Sequence, residues 1–114
     1  MDRVTAERTL QRIGFDTNLA GFQMLSSVLA YGTEHKLEEP IRLKELYYAV
    51  AKEQHSKPDL VRNSICKLTD RWCFTMGETR IFRDIMEDRI WGVTFPTPKP
   101  IITKLIKHFK ENPV

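Results

Sequence analysis

The stretch Ser56 to Cys73, SKPDLVRNSICKLTDRWC, constrains the chain more than any other. Val61, Ile65, Leu68 and Trp72 follow one another at spacings of four, three and four. At about 100° per residue they form one narrow helical stripe, and a stripe of that size has to be buried. Pro58 suits a first helical turn, whose N–H groups have no partner within the helix, and Ser56 or Lys57 supplies the cap position. Asp59, Arg62, Asn63, Cys66, Lys67 and Asp70 then cover the opposite face. That face mixes charge with hydrogen-bonding groups and is left free to touch something.

The preceding segment, Ile41 to Gln54, reads as a second, shorter helix with Leu43, Leu46, Tyr47 and Val50 inward. Ala51 is small enough for the next helix to pass closely, and His55 to Pro58 is a tight link. Helix, short turn, helix is the geometry that presents a second helix to a DNA major groove, so a helix-turn-helix is expected over about residues 42–73. Gln54 and His55 stand where such units often place an apolar residue and a glycine.

With 114 residues the chain suits one domain around one core. Its 18 basic and 15 acidic residues leave a formal charge of +3, which permits an anionic partner without the excess of a polycation. Cys66 and Cys73 lie seven residues apart on one expected helix. That separates them by roughly 10 Å, too far for a disulfide, and a reducing, cytoplasmic compartment is the expectation. No stretch approaches the roughly 18 apolar residues of a membrane span, and Met1 to Leu10 is polar rather than signal-like.

The remaining segments predict an all-α domain of six helices. Asp2 to Ile13 forms the first, with Val4, Leu10 and Ile13 inward and Gly14 at its end. Leu19 to about Gly32 forms the second, capped by Thr17 or Asn18, with Phe22, Leu25, Val28 and Leu29 inside and Met24 and Tyr31 at the border. Lys36 to Pro40 is a polar connector. CFTMGET reads as a turn, and Glu78 to about Arg89 as a short helix with Ile81, Phe82, Ile85 and Met86 on its apolar side. WGVTFPTPKP holds three prolines and a glycine, so it is a loop pinned by Trp91 and Phe95. A last helix from Pro98 or Pro100 to Lys110 turns Ile101, Ile102, Leu105, Ile106 and Phe109 inward and its lysines outward.

No catalytic constellation stands out. His35, His55 and His108 fall in different elements and lack metal-ligand spacing. Cys66 and His55 share no arguable pocket, and the acidic pairs Glu38–Glu39 and Asp84 with Glu87 and Asp88 sit among charges that give no reason for a raised pKa. No glycine-rich phosphate loop is present, and no cofactor is expected.

Three stretches, IGFDTNLAGFQML, LYYAVAKEQHSKPDLVRNSICKLTDRW, and the terminal WG with KP, occur in an order that resembles a known family. It is the C-terminal DNA-binding effector domain of the sporulation response regulator, stage zero sporulation protein A. The resemblance spans nearly the whole chain. It implies a six-helix fold, a recognition helix starting near Pro58, and tandem head-to-tail copies on repeated DNA sites. It also implies control through a receiver domain, and no such segment lies within these 114 residues, so a separate receiver or other regulatory protein is an expected partner. Where the family offers a glutamate and arginines, this chain holds Arg62, Asn63 and Cys66, and the aromatic expected near Gln54 is absent.

Two functional expectations follow. In the first, the chain binds double-stranded DNA within a transcription regulator. Arg62 and Asn63 read base edges with Cys66 filling space between them, while Ser56, Lys57, Lys67, Arg71 and Arg80 hold phosphates. In the alternative, the fold is kept and DNA reading lost, and the same helix binds a protein through an apolar patch of Cys66, Cys73 and Phe74. A plain helical structural protein is a third reading.

Overall fold

The computed structural model describes residues 1–35, 41–86 and 97–113. Among them all regular structure is helical: α1 (Arg3–Arg12), α2 (Gly21–Glu34), α3 (Leu43–Glu53), α4 (Pro58–Met76), α5 (Arg80–Ile85) and α6 (Pro98–Glu111). The connector Lys36 to Pro40, the acidic Glu87 and Asp88, Arg89, and the loop anchors Trp91 and Phe95 lie outside the described residues.

The centre of the fold is α2, which packs against α1, α3, α4 and α6. Its composition allows this, because Phe22, Leu25, Val28, Leu29 and Ala30 are joined inside by Ser26, whose hydroxyl donates to the Phe22 carbonyl (2.7 Å). A helix buried on nearly every side needs its few polar groups satisfied internally. The helix starts from Ala20 without a side-chain cap, so neither Thr17 nor Asn18 caps it. The turn before it is organised by Asp16, whose Oδ1 accepts from the Asn18 N–H (2.9 Å).

The first helix begins on Asp2, whose carboxylate accepts from the Thr5 N–H (2.8 Å) and is held below the usual carboxylate range by that bond. It ends in a Schellman turn: Gly14 takes φ 98°, Phe15 N–H donates to Leu10 O (3.0 Å) and Gly14 N–H to Gln11 O (3.1 Å). Leu10 and Ile13 are buried as expected, but Val4 is exposed and Ala6 and Thr9 face inward instead. The inner row thus runs 6, 9, 10, 13 at helical spacing, and Val4 falls off it.

The expected stripe of α4 is fully buried: Val61, Ile65 and Leu68 have no exposure and Trp72 has 1%. The helix runs through Met76 rather than turning at Cys73, and Gly77 N–H closes it on Cys73 O (3.0 Å). Met76 lies four residues after Trp72, so it extends the same stripe and packs on the core beside Gly14. That contact keeps Cys73 to Met76 helical and leaves the expected turn to begin at Gly77.

At α5, Thr79 accepts from the Phe82 N–H as the cap, and Phe82, Ile85 and Met86 are buried. Ile81 is 39% exposed, because a helix of six residues turns only one side to the core. Along α6 the five expected apolar residues are all buried, and Lys110 Nζ donates to His35 O (2.9 Å), meeting a carbonyl at the C-terminal end of α2. Among the described residues no helix is long and apolar enough to cross a membrane.

Candidate nucleic-acid interface

Two helices and a tight turn build the candidate surface. The C-terminal end of α3 closes in a second Schellman turn, with Ser56 N–H donating to Ala51 O (2.8 Å) and His55 N–H to Lys52 O (3.4 Å). His55 itself takes φ 53°, the left-handed conformation that a side chain adopts reluctantly. It occupies this conformation where a glycine is usual. The chain then extends through Lys57 into Pro58, the first residue of α4.

Gln54 accounts for the missing apolar residue at this turn. Its amide oxygen accepts from two Arg3 nitrogens (3.0 and 3.2 Å) and from the Ser27 hydroxyl (3.0 Å). Arg3 also donates to Gln23 Oε1 (2.6 Å) and pairs with Glu53 (3.6 Å). A polar network thus ties the end of α3 to α1 and α2.

From the other side, α4 is set by a backbone approach. Gly21 of α2 lies so close to the Ser64 carbonyl that a Cβ at this position would strike it. Trp72 adds a hydrogen bond from Nε1 to Ile13 O (2.9 Å), a stacked contact with Phe15 (ring centroids 4.6 Å) and a tilted one with Phe82 (4.7 Å). With its stripe buried and its backbone abutted, α4 has a fixed rotation.

That rotation turns Arg62, Asn63 and Lys67 outward and exposed, together with Asp59 and Asp70. Cys66 is half-buried between them, and burial, then the Asp70 charge, pushes its thiol above the ordinary value against the opposing effect of Arg62. Cys73 is 2% exposed, so the apolar patch expected from Cys66, Cys73 and Phe74 does not form as one surface, and Phe74 stands outward at 77% exposure.

The residues expected to meet phosphates divide. Lys57 is exposed at the start of α4 and Lys67 near its middle. Ser56 Oγ is enclosed and has no hydrogen-bond partner among the described residues. Arg71 is exposed but pairs with Asp16 (3.7 Å), and Arg80 is exposed at the first position of another helix, α5. The structure therefore groups Arg62, Asn63, Cys66 and Lys67 on the outer side of α4, with Lys57 extended at its N-cap.

A groove of about 490 Å³ runs between α3 and α4, lined by Lys44, Tyr47, Tyr48, Pro58, Asp59 and Arg62. Neither Lys44 nor Tyr48 stands out in the sequence, although they fall four apart on α3, on the side away from Leu46 and Val50. Tyr48 is 56% exposed. Its neighbour Tyr47 is buried, and that burial, followed by the effect of Cys66, pushes its hydroxyl up to about 12.

Among the described residues no three His, Cys, Asp or Glu side chains gather as metal ligands. His35 stacks on Tyr31 (3.9 Å) and His108 packs edge-on against Phe109 (4.9 Å). No protein-family model matches the chain, and no curated protein or solved structure gives a match.

Proposed function

We propose that the chain is a sequence-specific DNA-binding domain of a transcription regulator, using α3 and α4 as a helix-turn-helix. The observation that carries this reading is the rotation of α4, with Val61, Ile65, Leu68 and Trp72 inward and Arg62, Asn63 and Lys67 exposed on the outside. In a major groove, Arg62 suits the O6 and N7 acceptors of guanine and Asn63 the N6 and N7 edge of adenine. Lys57 and Lys67 supply phosphate contacts that set the register. The sequence resemblance extends the proposal to a sporulation-effector module acting in the cytoplasm as head-to-tail copies under a separate receiver protein.

Fluorescence anisotropy tests it, with a random duplex pool and selected duplexes titrated across salt. Tight, salt-sensitive binding of a selected duplex over the pool is expected. Arg62→Ala should relax preference at one base position by about 1–3 kcal/mol. The absence of any binding at low salt would sink the proposal. A second reading, protein binding through α4, is favoured by the exposure of Leu60 (54%) and Phe74 (77%). It predicts that Phe74→Ala weakens a partner while Arg62→Ala does not.

A further inference from the structure

We infer that the α3 wall of the groove seats one phosphate of the DNA backbone, held by Lys44 and Tyr48. The inference rests on the proposed reading of α4 and adds to it two residues on a different helix.

Lys44 and Tyr48 are one helical turn apart on α3, so their side chains stand one above the other on the same face. Both are exposed, and both line the groove whose opposite wall is Pro58, Asp59 and Arg62 of α4. A lysine ammonium and a phenol hydroxyl are donors of the kind that contact phosphate oxygens in protein–DNA interfaces. Tyr47, the other phenol of the groove, is 7% exposed and does not project.

Geometry selects the backbone over the bases. A major groove about 12 Å wide admits one helix. A second helix packed beside it has its axis about 8–10 Å away, which places α3 over the groove wall, where the phosphates run. Arg62, on the α4 wall, then faces the base edges, while Lys44 and Tyr48, on the α3 wall, face the strand beside them. Asp59 stands on the α4 wall as a fixed negative charge, which disfavours a phosphate on that side and leaves the α3 side as the seat. Glu45, the acidic neighbour of Lys44, is paired with Arg42 (3.8 Å).

The test uses the whole chain and a set of duplexes of different sequence. Lys44→Ala should weaken all of them by a similar factor and lower the slope of log affinity against log salt by about one. Lys44→Arg should restore the slope. Tyr48→Phe should weaken binding by roughly three- to tenfold without changing the slope, because it removes a neutral donor. Circular dichroism and melting of each variant exclude a folding defect, which exposed positions make a small risk. Unchanged affinity and slope in Lys44→Ala and Tyr48→Phe, beside an Arg62→Ala variant that does lose base preference, would overturn the phosphate seat alone. A Lys44→Ala effect that differs between sequences would also overturn it, by making Lys44 a base reader. Failure of the unaltered chain to bind any duplex would overturn the DNA reading and this inference together.

Discussion

Trp72 Nε1 donates to the carbonyl of Ile13 over 2.9 Å, joining the second half of α4 to the turn that ends α1, 59 positions earlier in the chain. The indole is 1% exposed and lies between Phe15 and Phe82, so its position is fixed by a donor on its edge and by aromatic faces. This contact sets the α4 rotation on which the outward placement of Arg62 depends.

Replacing Trp72 by Phe keeps an aromatic ring but leaves the Ile13 carbonyl without its donor. A loss of about 1–3 kcal/mol is expected for the unpaired group. Urea denaturation measures it, and an unchanged midpoint would show that the bond contributes nothing.

At Gly21 the expected outcome runs against helix propensity. Alanine in a helix interior gains about 0.5–1 kcal/mol over glycine, and at Gly21, the first residue of α2, the gain is smaller. Here the added methyl meets the Ser64 carbonyl, backbone that cannot step aside without moving α4. Gly21→Ala should therefore destabilise by about 1–3 kcal/mol, as overpacking does. Thermal melting gives the magnitude, and amide shifts at Ser64 and Ile65 report the displacement.

His55 offers the opposite case. With φ at 53° it bears the steric cost that glycine avoids. His55→Gly should stabilise the chain by up to about 1 kcal/mol, reduced by the freedom glycine gains on unfolding. His55→Val should destabilise it. Chemical denaturation of the two variants checks both signs.

Alkaline pH should weaken the fold. Burial first, and then nearby Asp70, pushes the Cys73 thiol from 9.0 up to about 12, while burial carries the Tyr47 hydroxyl from 10.0 to about 12. For each, the folded state holds its proton more tightly than the unfolded chain does. Their stabilisation is complete below the unfolded values and is lost as pH rises from about 9 toward 12. Melting temperature against pH should fall over that window, with a shallower fall in Tyr47→Phe. A melting temperature that stayed flat from 9 to 11 would contradict the burial of both groups.

The period-3.6 pattern made most of the core readable. Val61, Ile65, Leu68 and Trp72, and the five apolar residues of α6, are buried as their spacing requires. Local signals misled where a distant contact decides. Cys73 to Thr79 has the composition of a turn, yet α4 continues through Met76 and turns only at Gly77, because Met76 packs against the end of α1. The exposure of Arg62, Asn63 and Lys67 follows from the wheel alone. The enclosure of Ser56 Oγ, the Arg71–Asp16 pair and the groove holding Lys44 and Tyr48 do not. Each depends on how one segment is laid against another, which periodicity within a single helix does not encode.

The near-contact of Gly21 with the Ser64 carbonyl also bears on how such a chain can diverge. Because α4 is held from its inner side by backbone and by buried side chains, Arg62, Asn63 and Lys67 carry little of the fold's stability. Descendants of this sequence are free to rewrite those three positions while inheriting the interior unchanged.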